Sequence, residues 1–158
     1  MTTTIDIVSH SLTQTQRLGS KLADLLGPGD VVLLRGPLGA GKTSFTQGIA
    51  QGLGVAAVVN SPTFVLARQY AGRLPLYHMD YYRLERPAEP AELGFEEYFY
   101  GSGVSVIEWP ERATGLPITY FGVTLKIVND TKRGIVFEPH GERYEQILVD
   151  FRRIAFGM

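Results

Sequence analysis

Asp30-Val31-Val32-Leu33-Leu34-Arg35 runs directly into Gly36-Pro37-Leu38-Gly39-Ala40-Gly41-Lys42-Thr43, and this stretch decides the fold. Four consecutive apolar residues bounded by polar ones are the mark of a short strand covered on both faces, as in a parallel sheet. The eight residues that follow satisfy GxxxxGK(S/T). In that pattern glycines let successive backbone N–H groups turn inward around phosphate oxygens, a lysine neutralises the β and γ phosphates, and a hydroxyl ligates Mg²⁺. A helix should start inside the loop and run through Phe45, Ile49 and Leu53 to a cap at Gly54, presenting its positive end to the same anion. Gly36, Leu38, Gly39, Ala40, Gly41, Lys42, Thr43 and Ser44 are therefore the expected phosphate-binding residues, for ATP or ADP with Mg²⁺.

Working outward, Ile5 to Val8 reads as a strand. Ser11 N-caps a helix expected over Leu12 to Leu26, with a leucine stripe at helical spacing. Phe64 to Tyr70 and Leu74 to Asp80 read as strands joined by the turn Ala71-Gly72-Arg73. Glu89 to Tyr100 reads as a helix and Gly103 to Trp109 as a buried strand. Tyr120 to Val128 and Gly134 to Pro139 should pair antiparallel across a polar turn. A closing helix should bury Tyr144, Ile147, Leu148, Phe151 and Ile154. Alternating strands and helices predict an α/β fold. The expected form is a P-loop NTPase-like, mostly parallel central sheet flanked by helices, with antiparallel strands added in the C-terminal third, over residues 1–158 as one domain.

Composition narrows the function. The 158 residues include no Cys, which excludes a disulfide scaffold, a thiolate zinc site and a redox motif. A formal charge of −1 leaves no excess of cations to neutralise a nucleic-acid backbone, so any contact with nucleic acid should be indirect. The absence of a signal-like N-terminus or of an apolar run of membrane-spanning length points to a cytoplasmic protein with no membrane role.

A P-loop needs an acid from the end of a neighbouring strand, to hold Mg²⁺ or orient the attacking water. Glu108 closes Val104-Ser105-Val106-Ile107, and Asp80 closes Leu76-Tyr77-His78-Met79. Both are candidates as metal ligands and catalytic groups beside Lys42, and the sequence leaves open which one ligates directly. Ser61 and Thr63, in Ser61-Pro62-Thr63-Phe64, lie where a segment sensing the γ-phosphate often sits, although an ordinary proline turn reads equally well. Trp109, the single tryptophan, adjoins Glu108 and is either near the nucleotide or part of the core. Two patterns mislead. Gly52-Leu53-Gly54-Val55-Ala56-Ala57 fits a dinucleotide fingerprint but ends a helix instead of opening one. Thr131-Lys132-Arg133-Gly134 has Gly134 where a guanine-reading loop needs Asp, which favours ATP over GTP.

In combination these segments resemble the TsaE (YjeE) family, the ATPase component of bacterial tRNA threonylcarbamoyladenosine biosynthesis. The carriers are the P-loop, Ser61-Pro62-Thr63-Phe64, Tyr77-His78-Met79-Asp80-Tyr81-Tyr82-Arg83-Leu84, Glu92-Leu93-Gly94-Phe95 and Glu108-Trp109-Pro110-Glu111, in the family's order over about residues 30 to 112. The resemblance implies metal or catalytic acids at Asp80 and Glu108, a switch-like segment at Ser61 to Phe64 and a place for Trp109 near the nucleotide. It also implies partnership with the TsaD and TsaB proteins, with tRNA met at most indirectly. Pro37 and Tyr81 depart from the family's usual residues, and Pro37 removes one N–H from the loop. From about Ile118 the match holds only in outline and assigns no site residue. The expected function is a slow, partner-stimulated Mg²⁺-dependent ATPase of that machinery. The alternatives are a P-loop small-molecule kinase and a non-hydrolysing nucleotide-gated binding module.

Overall fold

A computed structural model describes residues 3–60, 67–82 and 96–157. Seven strands form one sheet: β1 (Ile5–Ser9), β2 (Val31–Arg35), β3 (Ala67–Tyr70), β4 (Leu76–Asp80), β5 (Val104–Glu108), β6 (Tyr120–Ile127) and β7 (Arg133–His140). Three α-helices accompany them: α1 (Leu12–Ala23), α2 (Lys42–Gly52) and α3 (Glu142–Phe156). The spatial order is β1-β7-β6-β2-β5-β4-β3. The centre, β4-β5-β2-β6, is parallel, while β1 and β7 on one side and β3 on the other pair antiparallel.

Side chains alternate across β2 and sort into two cores. Val32 and Leu34 join α1, α2 and α3 in the larger one, together with Val104, Val106, Phe121, Val123 and Phe137. Val31 and Leu33 point the other way, onto Tyr77, Met79, Tyr81, Phe99 and Ile107. The expected double coverage of this strand is thus met, with the α-helices of the described residues on one face. On the opposite face Phe99, from the 3₁₀ turn Glu96–Tyr100, supplies part of the cover. The tie from β2 to α3 is polar. Asp30 takes two charge-assisted bonds of 2.6 Å from Arg143, and the Val31 N–H donates to the Tyr144 hydroxyl at 2.9 Å.

Helices α1 and α2 cross at glycines. A methyl at Gly48 would stand 1.9 Å from the Gln16 carbonyl oxygen, and one at Gly52 would stand 2.5 Å from that of Ser20. Backbone meets backbone there, which locks the P-loop helix to the helix behind it. The expected cap is present, as the Ser11 hydroxyl accepts from the Gln14 N–H at 3.0 Å. Three expectations are corrected. Helix α1 stops at Ala23 and not at Leu26, because the Leu25 and Leu26 amides turn to the carbonyls three residues back. Ile154 is exposed, since the end of α3 turns Ala155 and Phe156 toward the core instead. The last five residues of the helix expected over Glu89 to Tyr100 form the 3₁₀ turn, and the earlier part of it lies outside the described residues, as does the start of the strand expected from Phe64.

Gly48→Ala should lower stability by roughly 3 kcal/mol, because rigid backbone leaves the new methyl no room. Thermal melting against the parent checks it. A loss under about 0.5 kcal/mol, the ordinary range of a surface change, would contradict the close approach.

Candidate nucleotide site

Parallel strands carry their C-terminal ends to one edge, and ligands of open α/β sheets bind outside that edge. Here β2 delivers the P-loop, β4 delivers Asp80 and β5 delivers Glu108. The register sets Leu34 beside Glu108 and Glu108 beside Asp80. A cavity of about 600 Å³ opens over them. Its floor comes from Leu38, Gly39, Gly41, Lys42, Thr43 and Ser44, and one wall from Asp80, Tyr82, Glu108 and Trp109.

The loop has the backbone its glycines allow. Gly39 and Gly41 take φ of 79° and 104°, values a side chain would resist. Gly41 precedes α2 without any side-chain cap, and Lys42, Thr43 and Ser44 at the positive end of that helix line the cavity. Gly36 and Ala40 are placed differently from their neighbours. Ala40 is buried in the core, with its N–H on the Pro37 carbonyl at 3.1 Å. Gly36 offers its carbonyl to Lys42, whose Nζ donates to it at 2.5 Å.

Lys42 is only 6% exposed and carries its ammonium 3.8 Å from the centroid of the Trp109 ring. Burial lowers its pKa, against the pull of the Glu108, Asp80 and Glu111 carboxylates. The cation thus stands between an indole face and a carbonyl, contacts weaker than a polyphosphate would offer. Trp109 reaches it by a strained backbone, with φ of 57° and ψ of 49°, the one non-glycine positive φ among the described residues. Its ring also packs 4.9 Å from that of Tyr82. Strain of this kind costs on the order of 1–3 kcal/mol and clusters at functional sites.

The acids lie deep. Glu108 is 2% exposed and His78 fully buried, and His78 Nε2 stands 2.6 Å from Glu108 Oε2. Asp80 Oδ1 accepts the Tyr82 N–H at 2.9 Å. The Asp80 pKa is raised, first by burial and then by the charge of Glu108, against that backbone bond and the nearby cations. Thr43, Asp80 and Glu108 offer one hydroxyl and two carboxylates on the same cavity, all oxygen donors. That set fits Mg²⁺, which binds through one or two carboxylates plus phosphates and keeps several waters. Among the described residues no group of three or more His, Cys, Asp or Glu forms an all-protein cage.

A third part of the wall was missed from sequence. His10, Ser11, Leu12 and Thr15 enter from the β1–α1 junction, and Asp130, Thr131 and Arg133 from the β6–β7 turn. That turn reads in sequence only as a hairpin and as a failed guanine motif. Yet β6 runs parallel to β2, so its far end meets the P-loop, and Arg133 Nη2 donates to the Gly39 carbonyl at 3.1 Å. Only the strand order carries this information. Ser61 and Thr63 lie outside the described residues.

A glycine loop between a parallel strand and a helix N-terminus, facing two strand-end acids across a deep cavity, defines a P-loop nucleotide-binding protein. Comparison with known proteins narrows the class. The sequence pattern of the family described as threonylcarbamoyl adenosine biosynthesis protein TsaE matches residues 9–135, and the chain belongs to that family. The tRNA threonylcarbamoyladenosine biosynthesis protein TsaE of Bacillus subtilis is 44% identical over 142 residues, covering 89% of each chain. That of Treponema pallidum is 46% identical over 129 residues, covering 81% of this chain and 96% of its own. The crystal structure of Bacillus subtilis YdiB superposes with a TM-score of 0.83 at 36% identity, covering 98% of this chain and 97% of that one.

The sign of the Asp80 shift gives a stability test. A carboxyl whose pKa is raised on folding holds its proton more tightly in the folded state, so its contribution to stability falls as pH rises above its ordinary value of 3.8. Asp80→Asn keeps the acceptor for Tyr82 and removes the charge. It should raise the melting temperature of the nucleotide-free protein near pH 7, and the gain should shrink as pH falls toward 3.8. A melting temperature lowered at both ends of that range would refute this account of the site.

Proposed function

We propose that this chain is the nucleotide-driven component of the tRNA threonylcarbamoyladenosine machinery, binding ATP with Mg²⁺ and hydrolysing it slowly in concert with the TsaD and TsaB proteins. The observation that carries the reading is the convergence of Lys42, Thr43, Asp80 and Glu108 on one cavity at the C-terminal edge of β2, β4 and β5. Family membership supports the role in tRNA modification. It does not by itself fix the chemistry.

The triphosphate enters over Gly39 to Ser44, where helix amides and the Lys42 ammonium replace water around its oxygens. Lys42 exchanges the Gly36 carbonyl and the Trp109 face for the β and γ phosphates. Thr43 from the loop and Asp80 and Glu108 from the strand ends are the residues that would hold the metal. Bound there, Mg²⁺ neutralises charge that develops on the phosphoryl oxygens. Glu108 would also accept a hydrogen bond from the attacking water and so orient it. His10 to Leu12 and the Asp130 to Arg133 turn supply the remaining wall for the nucleoside, and Gly134 stands where the guanine-reading pattern requires Asp, which favours ATP over GTP. The net charge of −1 gives no overall excess of cations to neutralise a nucleic-acid backbone, which favours contact with tRNA through the partners. Among the described residues no helix is long and apolar enough to cross a membrane.

Lys42→Ala should cut ATP hydrolysis by about 10²-fold or more, the scale seen when one transition-state charge donor is lost. Phosphate release measured with TsaD and TsaB, beside an ADP titration followed by Trp109 fluorescence, tests the proposal. Unchanged hydrolysis in the variant, or no hydrolysis by the parent even with both partners, refutes it. Equal support of tRNA modification by ATP and a non-hydrolysable analogue would replace it with a binding switch.

A further inference from the structure

We infer that His78 is the positioning residue for Glu108, holding one carboxylate oxygen so that only the other is free for the metal and water. The inference rests on the functional reading above and deepens it. A carboxylate has no proton to give, so the 2.6 Å contact between His78 Nε2 and Glu108 Oε2 is a bond donated by the imidazole. Nε2 therefore carries the hydrogen of that bond. Nδ1 is buried and has no hydrogen-bond partner among the described residues. A histidine kept fully buried with one nitrogen unsatisfied is expensive as a core residue, where a leucine would pack without that cost. The bond to Glu108 is what it gains.

The geometry explains why a second residue is needed. His78 sits on β4 opposite Val106, two positions before Asp80, which stands opposite Glu108. Both acids therefore emerge side by side, and Glu108 is repelled by Asp80 while being drawn to Lys42. When Lys42 turns to the phosphates, that attraction weakens at the moment the carboxylate must stay still. His78 lies away from the cavity lining and touches no phosphate, so its hold persists through the cycle. With Oε2 occupied, Glu108 presents a single oxygen to the cavity, which suits a small octahedral cation better than a bidentate carboxylate would. Residues that orient ligating groups in this way typically change metal affinity by about 10–100-fold when removed.

The test compares His78→Leu, which keeps the volume and loses the donor, with His78→Gln, whose amide nitrogen can stand near the Nε2 position. ADP affinity is read from Trp109 fluorescence first in EDTA and then at rising Mg²⁺, so no turnover is required. In EDTA both variants should bind ADP within about twofold of the parent, because His78 does not touch the nucleotide. The Mg²⁺ concentration at half-effect should rise roughly tenfold or more in His78→Leu and return to within about threefold of the parent in His78→Gln. Introduced into Glu108→Gln, His78→Leu should add less than about a twofold change, since it acts only through that carboxylate. Equal Mg²⁺ responses of the two variants, or full additivity with Glu108→Gln, overturn the inference alone. Should His78→Leu fail to melt cooperatively, His78→Asn, whose amide is too short to reach Oε2, takes its place with the same expectation. A parent protein that binds no ADP sinks the functional reading itself, and this inference with it.

Discussion

The parallel ladder between β2 and β5 is the interaction on which the rest depends. It pairs Val31 with Ser105 and ends with Leu34 beside Glu108. Because the two strands run the same way, the P-loop and the acid leave the sheet at the same edge, one strand spacing apart, about 5 Å. An antiparallel pairing would have sent Glu108 to the opposite rim. The same ladder extends the edge to Asp80 on β4, and β6 extends it to the Asp130 to Arg133 turn on the other flank.

The site is held by close packing below it and by hydrogen bonds within it. Helix α2 cannot drift, because its glycine face meets the backbone of α1 at Gly48 and Gly52. Its N-terminal turn and Lys42 are thus fixed in place at the floor of the cavity. The acids are equally fixed, Glu108 by His78 and Asp80 by the Tyr82 amide. Burial and then the charge of Glu108 raise the Asp80 pKa, and burial lowers that of Lys42 against the upward pull of both acids.

Trp109 links the two halves of the cavity. Its left-handed backbone sets the indole over Lys42 on one side and against Tyr82 on the other. Any ligand that moves the lysine changes the surroundings of the ring, which makes this tryptophan an internal reporter. The family to which the chain belongs provides the biological setting, and the cavity provides a physical reason for a nucleotide in it.

What the sequence alone determined is local and periodic: the apolar run of β2, the glycine spacing of the loop, the Ser11 cap, and strand ends closing on Asp80 and Glu108. These follow from nearest-neighbour preferences that a chain carries wherever it folds. The helix end misjudged at Leu26 and the burial misjudged at Ile154 lie where the last turn of a helix answers to tertiary contacts and not to its own periodicity. Strand order was not legible. Its consequences were therefore hidden as well: Arg133 beside Gly39, His78 bonded to Glu108, and the glycine crossing of α1 with α2. Each joins residues that are nearly thirty or more positions apart, and only the burial of one shared core against one sheet decides which distant segments become neighbours.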